Sequence, residues 1–145
     1  MRKLLFLTVF LVAGLAPVSM AHADPGQNST DNDVVIQNAV SDIASQLNGK
    51  QTRLQVKSQR TSGPWQFLWA TMQEPNGDPI DYRGTAKEAA AAHGAASANY
   101  VALFRRDADG AWNKVVSRVG PTDVAWVGWD KQYGAPSDLF PAGIR

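Results

Sequence analysis

The chain has 145 residues, with 14 Lys and Arg against 13 Asp and Glu, two His, five Trp and no Cys. That length suits one domain with a real core, and the lack of cysteine excludes disulfides and thiolate metal ligands as its support. After residue 3 the cations are dispersed, with only Arg105 and Arg106 adjacent, which gives no electrostatic footprint for nucleic acid.

The first segment places Arg2 and Lys3 before an apolar run from Leu4 to Val12 and on to Leu15, then Ala21-His22-Ala23. This is the pattern of a secretory signal peptide, cleaved after Ala23 and leaving a soluble periplasmic or secreted product that starts at Asp24. The apolar run, stopped by Pro17, falls short of the ~20 residues of a membrane span. Removal of Arg2 and Lys3 leaves 12 basic against 13 acidic residues. Residues 24–30 have no periodicity and are expected to form a mobile polar leader.

Ile36, Val40, Ile43 and Leu47 then recur at helical spacing, predicting a long helix over residues 32–48, with Asn38, Ser41, Asp42 and Ser45 on its solvated side. Thr30 and Asp33 have the spacing of a capping box, and Gly49 stands where a terminating glycine belongs. From Thr52 the period changes to two, and Leu54 and Val56 alternate with polar residues as in a half-exposed strand. "WQFLWATM" is apolar on both sides, with Trp65, Phe67 and Trp69 on one and Leu68, Ala70 and Met72 on the other, so it is expected to be a central strand. "EPNGDP" is a turn, and "IDY" opens a return limb.

An Ala-rich helix is predicted over residues 86–93, introduced by the spacing of Thr85 and Glu88 and ended by Gly94. "YVALFRR", "DADG" and "AWNKVVSRV" form a hairpin over residues 100–119. A last short helix is predicted over residues 123–133, although Gly128 inside it costs roughly 1 kcal/mol relative to Ala. The order predicts an α+β fold: a long helix packed on an antiparallel β-sheet of four to five strands, in one domain over residues 24–145.

The segments "WQFLWATMQEPNGDPIDY", "VALFRRDADGAWNKVVSRVGPTDVAWVGW" and "YGAPSDLF" resemble a group of small exported bacterial proteins to which no function is assigned. That resemblance spans about residues 54–140 and implies a secreted single domain, and it carries over no catalytic residue. In outline the arrangement is also similar to cystatin-like and NTF2-like folds, architectures that host unrelated functions.

Few residues offer chemistry. His93, the one imidazole left after cleavage, ends an Ala-rich helix, where a cation caps the helix or faces water, so a nucleophile–His pair and a His/Cys metal site lack support. Glu74, Asp78 and Asp81 surround one turn. They could serve as a hydrolase pair if a cleft separated two of them by ~5–9.5 Å, but the same residues belong in turns for local backbone reasons. Their spacing is not that of a regular calcium loop, and the isolated glycines form no phosphate cradle. No catalytic residue, metal or cofactor is therefore assigned.

Trp126, Trp129 and Tyr133 follow one another at steps of three and four and would share a helix face. That face packs on the sheet, or its rim contacts a ligand, because Trp and Tyr suit surfaces that are apolar yet carry a donor. The three are the candidate binding residues, for an envelope protein or a glycan. The inventory favours a non-catalytic binding or interaction protein, such as an accessory factor or inhibitor. A cell-wall or glycan hydrolase and a small-ligand carrier with a pocket between helix and sheet are the alternatives.

Overall fold

The structure, a computed structural model, describes residues 25–142; the expected leader and its cleavage point after Ala23 lie outside them. It is the predicted α+β fold, a helix on a four-stranded antiparallel sheet.

Helix α1 (Pro25–Gln46) starts earlier than residue 32, so residues 25–30 form its first turns instead of a separate leader. Thr30 lies inside it and donates its hydroxyl to the Gly26 carbonyl one turn back, where the sequence suggests a cap. The far end is as expected: Gly49, at φ +82°, donates its N–H to the Ala44 carbonyl at 2.7 Å and closes the last turn. The fully buried stripe is Val35, Ala39, Ile43 and Leu47, with Ile36 and Val40 at its flank. Positions three and seven beyond Val35 share its face, which turns Asn38 and Asp42 toward the sheet and corrects their expected exposure. Asn38 donates to the Trp112 carbonyl at 3.0 Å, and the Asp42 side chain is only 7% exposed.

The strands β1 (Arg53–Ser62), β2 (Trp65–Gln73), β3 (Asn99–Arg106) and β4 (Trp112–Val119) form an antiparallel meander in chain order. β2 and β3 are therefore central, and they carry the apolar residues on both faces that such strands need. Leu68, Ala70, Met72, Tyr100, Ala102 and Phe104 face α1, while Phe67, Val101 and Leu103 face the other way. The predicted return limb contributes only a single bridge between Gln73 and Pro79, so the sheet has no fifth strand among the described residues. The predicted hairpin is present: Asp107 accepts the Asp109 and Ala111 N–H groups, and Gly110 supplies φ +87°.

The second face of the sheet is covered by the C-terminal segment, which makes a third layer. Helix α2 is short (Glu88–Ala92), and α3 covers only Trp129–Tyr133. The expected helix over residues 123–133 is cut in two because Gly128 holds φ +83°, a left-handed conformation that an α-helix cannot pass through. Residues 125–128 form a turn, and a 3₁₀ turn (Ser137–Leu139) follows α3. Trp65, Trp126, Trp129, Ala135 and Leu139 close this second core over Phe67 and Leu103.

The chain enters this layer through Gly120, at φ +72°, where an added Cβ would lie 3.1 Å from the Tyr82 hydroxyl and 3.2 Å from the Ser97 carbonyl. Gly120→Ala should therefore cost about 1–2 kcal/mol from the left-handed backbone alone, with the contact adding to it. Urea unfolding measures the loss; an unchanged midpoint would show that the turn tolerates a side chain.

Candidate functional site

The groove that bears most on function lies on the second face of the sheet, opposite α1. Its cavity is about 300 Å³, bounded by Trp69 and Val101 from the sheet, Asn99 at the start of β3, the turn at Thr122 and Asp123, and Trp126. Each wall has a local cause. Trp69 follows Trp65 and Phe67 on one side of β2, but it lies past the best-covered stretch and stays half-buried. The Pro121–Asp123 turn is anchored by Ser97, which donates its hydroxyl to the Pro121 carbonyl and accepts the Asn99 N–H at 3.1 Å. Trp126 is fixed by its indole N–H, which donates to the Pro141 carbonyl at 3.2 Å.

The two indoles meet with centroids 5.2 Å apart and planes tilted by 46°, and Phe67 stands edge-on to Trp126 at 5.4 Å. At the β1 edge the register slips between Val56 and Ser58, so Lys57 is the extra residue of a bulge. Its Nζ lies 5.0 Å from the Trp69 ring centroid and donates to Asn99 Oδ1 at 3.1 Å. Trp69 Nε1 donates to the same oxygen at 3.3 Å. The Asn99 amide is thereby oriented, with its oxygen taken by two donors. An aromatic wall with an amide, a hydroxyl and a carboxylate at its margin suits recognition of a small ligand with both apolar and polar faces.

Of the three residues that spacing singles out, only Trp126 borders this groove, and it is itself 8% exposed. Trp129 is 3% exposed and packs edge-on against Tyr133 at 6.3 Å and Phe140 at 6.5 Å. Tyr133 is half-buried at the edge of that cluster. The Trp126–Trp129–Tyr133 row is thus divided by the Gly128 turn, with one member at the groove and two in the adjoining core. Spacing does not single out Trp69, Asn99 or Lys57 as site residues. The available signal for Trp69 is the second apolar face of β2, which a single helix cannot cover.

The carboxylates of the "EPNGDPIDY" turn are engaged in the turn itself. Glu74 accepts the Asp81 N–H at 2.8 Å and pairs with Lys50 at 2.9 Å, contacts that hold its pKa below the ordinary range. Asp81 takes the Arg83 side chain and N–H, which lower its pKa to about 2. Asp78 accepts from the Asn76 amide at 2.7 Å. A general acid needs the opposite shift, toward a raised pKa. His93 is exposed at the end of α2. Among the described residues no group of three His, Cys, Asp or Glu could hold a metal ion, and no helix is long and apolar enough to cross a membrane.

No family model matches the chain, and no curated protein or solved structure is significantly similar to it.

Proposed function

We infer that this is a non-catalytic binding protein of the periplasm or extracellular space, and that its ligand contact is the groove between Trp69 and Trp126. The observation that carries the reading is Trp69: a half-buried indole, held by Asn99 and Lys57 in a cavity that α1 does not cover. The ring remains half-exposed at the open margin, where an indole can meet a ligand by its apolar face. The exported location rests on the N-terminal leader pattern. The carrier alternative moves to the other face, because the helix–sheet interface is filled by Val35, Ala39, Ile43 and Leu47 against Leu68, Ala70 and Met72. The hydrolase alternative is disfavoured by the lowered pKa values of Glu74 and Asp81.

The test is Trp69→Ala. Because Trp69 lies at the margin, its loss should leave a cooperatively folded protein, whereas binding to an envelope-glycan preparation should fall at least about tenfold, the equivalent of ~1.4 kcal/mol. Isothermal calorimetry with wild type and variant reads the difference. Equal binding by both proteins would remove the groove from the account.

A further inference from the structure

A second concavity adjoins the groove. It is bounded by Lys87, Gly120, Ala125 and Arg118, and shares Pro121, Thr122 and Asp123 with the first. The turn at Pro121–Asp123 is therefore a common wall: indoles stand on one side of it and two cations on the other. Lys87 is placed by the turn that begins α2, and Arg118 by β4, where its pairing with Val101 directs it to the second face of the sheet. The ion pairs among the described residues engage Lys50, Arg83, Arg106 and Lys114. Lys87 and Arg118 belong to none of them, and Arg118 donates only to the neighbouring Ser117 carbonyl at 2.8 Å. Asp123 shares their concavity and forms an ion pair with neither, so two cations face one carboxylate there and the local balance is positive.

We propose that the two concavities form one site for an acidic saccharide, in which a sugar ring lies against Trp69 and Trp126 and a carboxylate of the same or the next residue meets Lys87 and Arg118. This rests on the groove reading above. The first cavity is at the lower end of the ~300–1,000 Å³ range of ligand pockets, which is room for about one ring. An entirely apolar group there would strip water from Asn99, Thr122 and Asp123 without replacing its hydrogen bonds, a cost that a polyhydroxylated ring avoids. Its C–H face suits the indoles, and its hydroxyls can donate to the Asp123 carboxylate. The unpaired Arg118 and Lys87 favour an anion by charge-assisted hydrogen bonds. Lys57, over the Trp69 ring and bonded to Asn99, adds a third cation beside the groove-lining residues.

Oligogalacturonate and its methyl ester separate the possibilities, since they share the ring and differ in charge. Calorimetry should show the acid bound at least about tenfold more tightly than the ester by wild type, a preference that shrinks as salt is raised. In Lys87→Gln/Arg118→Gln the ratio of acid to ester affinity should fall toward one, whereas Lys131→Gln, on α3, keeps the wild-type ratio. Circular dichroism on each variant confirms the fold. If acid and ester bind wild type equally, and both depend on Trp69, the groove reading stands and the acidic class is overturned. If neither form binds, the acidic-saccharide class is overturned, and the groove reading stands or falls separately on the Trp69→Ala comparison with the envelope-glycan preparation. Tighter binding of a poly-glutamate peptide than of the uronate, abolished in the double variant, would replace the saccharide with an acidic peptide.

Discussion

Trp129→Ala should remove about 3–5 kcal/mol of stability, the range for truncating a buried large aromatic. The indole is 3% exposed and stands edge-on to both Tyr133 and Phe140, in the layer that seals the second face of the sheet. Its loss opens a cavity beneath a segment that has only one helical turn and a 3₁₀ turn of its own, so nothing regular remains to hold the layer in place. Against a typical domain stability of about 5–15 kcal/mol, the variant should lose a large share of its stability and melt well below wild type. Tyr133→Ala, at the edge of the same cluster, should cost distinctly less. Chemical denaturation of the two variants gives the comparison; similar losses would mean that the cluster is centred on the tyrosine, and a silent Trp129→Ala would show that the third layer contributes little.

The second large effect is expected at Asp42. Its carboxylate lies between α1 and the sheet, accepting from the Tyr100 hydroxyl at 2.9 Å, from the Gln46 amide at 3.0 Å and from Lys114. Burial by itself would raise its pKa, but the hydrogen bonds from Lys114, Ser117, Tyr100 and Gln46 outweigh this and hold it below its ordinary value of 3.8. Burial first, and then the Asp42 charge, push the Tyr100 hydroxyl upward, so it stays protonated as the donor. Asp42→Ala removes the charged acceptor of that hydroxyl and leaves Ser117 as its remaining side-chain partner. The expected loss is about 2–3 kcal/mol, the scale of hydrogen bonds to a buried charge, moderated because Lys114 is 39% exposed.

The pH dependence follows with a definite sign. A carboxylate whose folded-state pKa lies below its unfolded value contributes stability that is fully present above the unfolded pKa and is lost as pH falls through the folded one. Wild type should therefore lose stability as the pH drops below about 4, and Asp42→Ala should show a shallower decline over the same window. Thermal melts across that range decide it. Parallel acid limbs in the two proteins would place the acid sensitivity elsewhere.

The α+β class and the central place of β2 are legible because they rest on local periodicity. β2 is apolar at both alternating sets of positions, which only a central strand requires, while Asn76-Gly77 and Asp107–Gly110 mark turns whatever lies around them. The end of α1 was equally legible, since Gly49 terminates a helix by its backbone freedom alone. The start was not: the polar residues 25–30 have no apolar stripe, and their helical state reflects propagation from the packed turns that follow.

What the tertiary structure decided concerns the contact between layers. Periodicity cannot fix the rotation of a helix to within one position, so Ile36 and Val40 stood in for Val35 and Ala39, and Asp42 was read as solvated. Nor could spacing reveal that Gly128 is left-handed, which divides Trp126 from Trp129, although both still pack on one apolar face. The groove itself unites residues 69, 99, 123 and 126, brought together by the register of β2 with β3 and a turn pinned by Ser97, while a bulge in β1 sets Lys57 over the Trp69 ring. Non-local pairing and side-chain packing place such residues together, and neither leaves a period in the chain. By itself the sequence determined which segments are apolar on one side and which on two; only the folded sheet decided what covers each side and where an indole is left at an open margin.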